Sequence, residues 1–375
     1  MRVLFIKHIP SPYRVDFFNE LSKYCELTVL YESDRATDRN EKWKGQADTG
    51  YKKVYLKGVR TGAEARFCPS VLKYIGKNKY DIIIVYGYSS PTGMLAISAL
   101  SKKGIPFFLN ADGGFIKQNE SKLRRSIKRH FISRATWCLT TGSLTSDYFI
   151  HYGAKPDKIF EYPFTSVKEK DRLPAAIPKE KKMQIRESLG INCETLFLAV
   201  GQFIPRKGFC DFLKAWTSKR RDGMGLALIG GGPEERIYKQ IAQGNSDIFI
   251  LPFMEKSELA EYYCASDAFV LPTYEDIWGL VVNEAMSYGL PVFSTTGCIS
   301  AATLEGVGVS VFPVGENEAM MAALESFANN EQREEMVAHV LERSREYTIE
   351  NMVKRHVEIF ERVASKTNAH CLTSQ

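Results

Sequence analysis

Apolar and polar positions change rhythm again and again along the chain. RVLFI opens it, PYRVDFFNELSKY then spaces Tyr13, Phe17, Leu21 and Tyr24 at helical intervals, and ELTVLY returns to a short apolar run. Strand, helix, strand is the reading. The alternation continues through YDIIIVYG (80–87), a helix from Pro91 to about Lys103, PFFLNA (106–111), a helical segment at 120–135, TWCLTTG and a helix around SDYFIHYG. Runs such as Ile82 to Val85 carry no polar alternation, which implies strands buried on both faces, as in a parallel sheet.

Residues 165–182 break this rhythm: they are charged, contain Pro174 and Pro178, and lack a long apolar run. They read as a linker. The alternation then restarts with TLFLAVG (195–201), a helix from Phe209, GLALIGGG (225–232), a helix from Pro233, IFILPF (248–253), a helix at 256–266, AFVLP (268–272) and PVFST (291–295). Two α/β domains in tandem follow, at 1–164 and 183–348, as a length of 375 residues also favours. Beyond Pro313 the chain reads as mainly helical, in ENEAMMAALESFANN and from Glu331 to about Ala364. Ile349, Met352, Val353, Val357, Phe360 and Val363 line one face of the last helix.

Charge divides unevenly between the halves. Residues 1–164 hold 27 Lys+Arg against 15 Asp+Glu, and residues 165–375 hold 23 against 29, so the net +6 conceals +12 and −6. The first half should seek an anionic partner. Eight cysteines occur singly with no CxxC pair, pointing to a reducing cytosol, and the apolar run Val3–Ile6 is too short for a signal core or a membrane span.

Chemistry concentrates in TYEDIWGLVVNEAMSYGLP (273–291), a loop after a strand that leads into a helix ending at Gly289. In open α/β folds such loops bind ligands, and the N–H groups of Gly279, Leu280 and Val281 suit a phosphate. Glu284, about 7 Å further along the helix axis, suits a sugar or ribose diol. The bland alternative is that Asp276 favours the helix dipole and that Glu284 is solvated. In FLAVGQFIPRKGF, Arg206 and Lys207 follow a strand and can neutralise a diphosphate. IGGGPEER (229–236) lacks the GxGxxG spacing, and turn chemistry accounts for it equally well.

These segments resemble the retaining glycosyltransferases of family 4, whose GT-B fold sets two facing Rossmann-like domains with parallel sheets together. DIWGLVVNEAMSYGLPV resembles the family's E-x7-E motif, VGQFIPRKG its arginine-lysine segment, LPFMEKSELAEYYCASDAFVLPTYED its nucleobase-side segment, and HYGAKPDKIFEYPF the end of its first domain. The resemblance implies that Arg206 and Lys207 bind the donor diphosphate and that Glu284 takes the ribose hydroxyls. It also implies that Asp276, with the amides of Gly279, Leu280 and Val281, holds the sugar and distal phosphate, and that Phe253 and Met254 flank the base. The final helix, about 349–375, would cross back to the first domain.

Two positions depart from the family. Asp276 stands where Glu is usual, with Glu275 adjacent as a substitute, and FFLNADGGF has no His where many members carry one. Asp112 is the candidate there for orienting an acceptor hydroxyl or touching the donor sugar; the other reading is an Asp-Gly turn residue. No DxD triplet occurs, so no metal or other cofactor is expected and the cations and the helix start would stabilise the diphosphate.

KQNESKLRRSIKRHFISR (117–134) places Leu123, Ile127 and Phe131 on one helical stripe flanked by Lys122, Arg124, Arg125, Lys128 and Arg129. The stripe is expected to pack inward, leaving the cations for anionic lipid or an acidic acceptor. No nucleic-acid motif accompanies it. Together these readings describe a cytoplasmic enzyme, peripheral on the inner face of the cell membrane. It would move a sugar from a nucleotide-sugar donor to a glycan or lipid-linked acceptor, with retention, in surface polysaccharide or glycolipid assembly. A catalytically weak donor-binding homologue and a sugar-nucleotide epimerase of the same fold are the rivals.

Overall fold

The computed structural model describes residues 1–34, 50–62, 65–117, 119–219, 221–329 and 333–372, with side chains to residue 365. Gln118, Asn330 to Gln332 and the last three residues, all within segments read as helical, lie outside the described residues. The chain divides into two compact units, Met1–Ser166 with Thr348–Gln375, and Val167–Tyr347.

The first unit is built on β1 (Arg2–Lys7), β2 (Glu26–Tyr31), β3 (Lys52–Tyr55), a two-stranded ribbon of β4 (Val59–Arg60) and β5 (Arg66–Phe67), β6 (Ile82–Tyr86), β7 (Phe108–Asn110), β8 (Trp137–Thr140) and β9 (Ile159–Glu161). Seven of these form one parallel sheet in the order β3-β2-β1-β6-β7-β8-β9. Every residue of β6 is buried, as its unbroken apolar run requires of a central strand. The sheet's helices are α1 (Pro12–Leu21), α2 (Pro91–Lys102), α3 (Lys122–Ile132) and α4 (Ser143–His151). Ser90 starts α2 by accepting the Gly93 N–H, and Pro91 follows it, where no N–H is missed.

The second unit repeats the plan with β10 (Thr195–Gln202), β11 (Met224–Gly231), β12 (Ile248–Leu251), β13 (Ala268–Leu271), β14 (Val292–Thr295) and β15 (Val309–Phe312), in the order β12-β11-β10-β13-β14-β15, all parallel. Its helices are α5 (Lys179–Ser188), α6 (Phe209–Thr217), α7 (Glu235–Ala242), α8 (Lys256–Ala265), α9 (Leu280–Ser287), α10 (Ile299–Thr303), α11 (Asn317–Ala328) and α12 (Arg333–Ser344). The stretch read as a linker is tied to this unit by polar contacts. Leu173 N–H donates to Ser287 O, Arg172 donates to Ser344 Oγ and to Leu341 O, and Lys256 pairs with Asp171.

The helical tail read as one run is interrupted before α13 (Ile349–Leu372), which belongs to the first unit. His356 and Ile359 join Ile349, Met352, Val353, Phe360 and Val363 on its buried face, while Val357 is only half-buried. His356 lies 4.8 Å from the Phe17 ring, and Phe360 lies 5.8 Å from Phe108. Among the described residues no helix is long and apolar enough to cross a membrane.

Candidate functional site

Strand order locates the site in the second unit. From β10 the chain winds outward through β11 and β12, then returns to β13 on the other side of β10. The direction of winding reverses between β10 and β13, and it is at the carboxyl ends of strands beside such a reversal that open α/β sheets bind ligands. Arg206 and Lys207 follow β10, and residues 273–279 follow β13.

Hydrogen bonds to main-chain carbonyls hold these two loops together. The Arg206 carbonyl accepts from Tyr274 N–H at 2.8 Å and from Thr273 Oγ1 at 3.0 Å, and the Arg206 guanidinium donates to Glu275 O at 2.9 Å. Gly208, at φ 71°, lies so close to Pro272 that a Cβ would collide with the Pro272 carbonyl oxygen. That contact lets Lys207 reach Asp276 in an ion pair, the two side chains 9% and 14% exposed. Asp276 is anchored from the far side by its N–H on Gly297 O at 2.7 Å.

The helix start lies against the same carboxylate. Gly279 sits at φ 85°, and a Cβ there would fall 2.6 Å from Cys298 Sγ and 3.6 Å from Asp276 Oδ2. Among the described residues, the N–H groups of Gly279, Leu280 and Val281 donate to no backbone carbonyl, as expected for the first turn of a helix. Trp278 is buried and fixes the turn by donating from Nε1 to Asn283 Oδ1 at 2.8 Å. One turn further on, Glu284 accepts from Tyr263 OH at 3.3 Å. Burial, with the Glu284 charge added, pushes the Tyr263 phenol well above its ordinary range, so it stays a donor.

Arg206, Lys207, Glu275, Asp276 and Gly279 thus meet, with Leu280, Val281 and Glu284 continuing from them along α9. Phe253 and Met254 lie on the loop after β12, an edge strand two places from β10; Phe253 is exposed and Met254 packs on the core. The glycine-rich turn closes on the β10 loop, with Phe203 N–H on Gly231 O and Glu234 N–H on Phe203 O, which fits its turn chemistry. Among the described residues no three His, Cys, Asp or Glu side chains gather as a cation site.

Asp112 belongs to the first unit, after β7, where the Arg14 guanidinium pairs with its carboxylate. Arg14 was invisible as a site residue, because an arginine in an amphipathic helix reads as solvated. The basic helix differs from its expected packing. Leu123 is 71% exposed and Ile127 38% exposed, so these two face outward with Lys122, Arg124, Arg125 and Arg129, while Phe131 of the same stripe is partly buried and packs on the core as expected. Lys128 turns inward instead, pairing with Glu120 at 2.6 Å beside Tyr152 OH at 3.2 Å. Burial opposes its charge, but these partners hold its pKa above the ordinary lysine range.

Both units have the doubly wound parallel architecture of the GT-B glycosyltransferases. HepE of Anabaena, solved with UDP and glucose, matches over 97% of this chain and all of its own at a TM-score of 0.72 and 16% identity. Residues 194–330 match the family model of Glycosyl transferases group 1. The sulfoquinovosyl transferase SQD2 of Arabidopsis thaliana is 28% identical over 163 residues, 42% of this chain and 31% of its own. The alpha-galactosylglucosyldiacylglycerol synthase of Streptococcus pneumoniae is 24% identical over 274 residues, 70% of this chain and 67% of its own. The match to SQD2 therefore spans under a third of that relative's length.

Proposed function

We propose that this protein is a retaining glycosyltransferase that moves a sugar from a nucleoside-diphosphate sugar to a hydroxyl of a glycan or lipid-linked acceptor. The observation that carries the reading is the junction of the β10 and β13 loops, where Arg206 and the Lys207–Asp276 pair lie against the start of α9, whose first amides are those of Gly279, Leu280 and Val281. A diphosphate there meets fixed donors aimed at the charge that grows on its leaving oxygen, which supplies the electrostatic stabilisation without a divalent ion. Glu284 accepts from the ribose hydroxyls, Phe253 and Met254 flank the base, and Asp276 with Glu275 meets the sugar. The bond from the anomeric carbon to the phosphate oxygen breaks as the acceptor oxygen bonds on the same face. The acceptor's proton passes to the departing diphosphate.

The UDP held by HepE supports a nucleotide donor. The outward-facing Leu123 and Ile127 of α3 among its cations, and the diacylglycerol product named for the streptococcal relative, support a lipid-linked acceptor. In that setting the enzyme lies peripherally on the cytoplasmic face of an anionic membrane, during glycolipid or polysaccharide assembly. Thermal denaturation with UDP, GDP and ADP tests the donor site, because a ligand of the folded state alone raises the midpoint with its concentration. Glu284→Ala and Lys207→Ala should each remove most of that rise; wild-type rises in both would overturn the assignment. Conversion of the donor with no acceptor present would indicate an epimerase instead.

A further inference from the structure

The first unit has its own charged pair at the carboxyl end of its sheet. Arg14, on α1, has a side chain only 1% exposed, and Asp112, after β7, is 18% exposed. The guanidinium Nη2 donates to Asp112 Oδ1, to Tyr86 OH at 2.6 Å and to Tyr162 OH at 3.2 Å. It lies 4.5 Å from the Phe164 ring centre and 4.8 Å from that of Tyr86. Burial opposes its charge, but Asp112 beside it, with Tyr162, more than offsets this and holds Arg14 well above its ordinary range.

Two neighbours of the guanidinium, Tyr162 and Asp112, are themselves held. Asn110 Nδ2 donates to Tyr162 OH at 2.9 Å and to Leu139 O at 3.0 Å, His356 of α13 packs 4.4 Å from the Tyr162 ring, and Thr141 Oγ1 donates to the Asp112 carbonyl at 3.1 Å. An Asp-Gly turn needs none of this. A buried cation is costly unless paired, and here the charged partner is a carboxylate that still meets solvent where α/β sheets bind ligands.

Building on the transferase reading, we propose that Arg14 is a positioning residue. By taking Oδ1 of Asp112 it fixes the carboxylate so that Oδ2 accepts the acceptor's hydroxyl. Asp112 touches the acceptor; Arg14 acts only through Asp112.

A kinetic double-mutant cycle on the full chain tests this. The assay uses UDP-glucose, with diacylglycerol in mixed micelles and n-octyl β-D-glucoside as alternative acceptors. Asp112→Ala and Arg14→Met should each lower kcat by about 100-fold, the double variant should be no slower than the slower single one, and the UDP-induced thermal rise should be unchanged. Arg14→Lys should recover part of kcat. Multiplying losses, or Arg14→Met at wild-type kcat beside a slow Asp112→Ala, would overturn the positioning role alone. If Arg14→Met does not fold, Tyr86→Phe with Tyr162→Phe serves in its place: a lowered kcat with an unchanged UDP-induced rise supports the role and a wild-type kcat overturns it. A folded wild type that transfers to neither acceptor and binds no UDP, GDP or ADP would instead overturn the transferase reading itself.

Discussion

Each unit seats one ion pair just beyond the carboxyl ends of its strands, and the surroundings of the two pairs differ. Arg14–Asp112 is lined by the rings of Phe164 and Tyr86 and by two phenolic hydroxyls, so nearly all of the cation is enclosed by side chains from distant parts of the sequence. Lys207–Asp276 is bordered by main chain: the Gly297 carbonyl, which takes the Asp276 N–H, and the start of α9 at Gly279. A cation held by aromatic side chains is fixed whether or not a ligand is present. One held beside amides in their first helical turn can share its partner with an arriving anion. Similar charge chemistry therefore gives an enclosed anchor in one unit and, on the function proposed above, a contact open to a ligand in the other.

Removing the acid from each pair separates them most strongly. Asp112→Ala strands the enclosed Arg14 and should cost about 3–5 kcal/mol of stability in chemical denaturation. Asp276→Ala should cost only about 1–2 kcal/mol, because the flexible lysine stem lets Lys207 Nζ reach water. Equal losses would erase the distinction. Gly208→Ala comes next: its left-handed backbone and the displaced Pro272 carbonyl should cost about 2–3 kcal/mol and lower the UDP-induced rise with it.

Acid sharpens the contrast from the first unit's side. Burial lowers the His356 pKa from 6.5 to about 3. Below pH 6.5 the unfolded chain therefore binds a proton that the folded chain refuses, and stability falls as pH falls. Between pH 6.5 and pH 5 this histidine should account for about 2 kcal/mol of lost stability. Glu32, which burial raises to about 7, works in the opposite direction, losing stability as pH rises from 4.5 towards 7. Melting His356→Phe across that range should show a shallower acid limb; an unchanged limb would assign the loss elsewhere. The smallest effect on folding belongs to α3. Leu123→Glu with Ile127→Glu should change stability by no more than about 0.5 kcal/mol yet reduce sedimentation with phosphatidylglycerol vesicles; undiminished binding would remove α3 from the membrane contact.

The fold was largely legible because central strands such as Ile82–Tyr86 carry unbroken apolar runs between helical stretches. Of the edge strands, IFIL of β12 was legible, but KKVY of β3 is mostly exposed, and VSVF of β15 has three of its four residues only partly buried. Around α9 the turn chemistry of Trp278 and Gly279 is local, so a helix start with adjacent acids could be read from consecutive residues. The Lys207–Asp276 pair could not, since 69 positions separate its members and each had been given its own separate part of the donor. Arg14 was harder still. Its burial is decided by Tyr86, Asp112 and Tyr162, which nothing in the spacing of α1 announces.

The first unit is assembled from both ends of the chain, since α13 supplies His356 and Phe360 against Phe17, Phe108 and Tyr162. During synthesis its sheet therefore waits with that flank bare, while Val167–Tyr347 emerges whole and can close its own core first. The strands of the first unit leave the ribosome before the second unit and wait for α13, so the faces of Phe17, Phe108 and Tyr162 that His356 and Phe360 will cover stay bare through that interval.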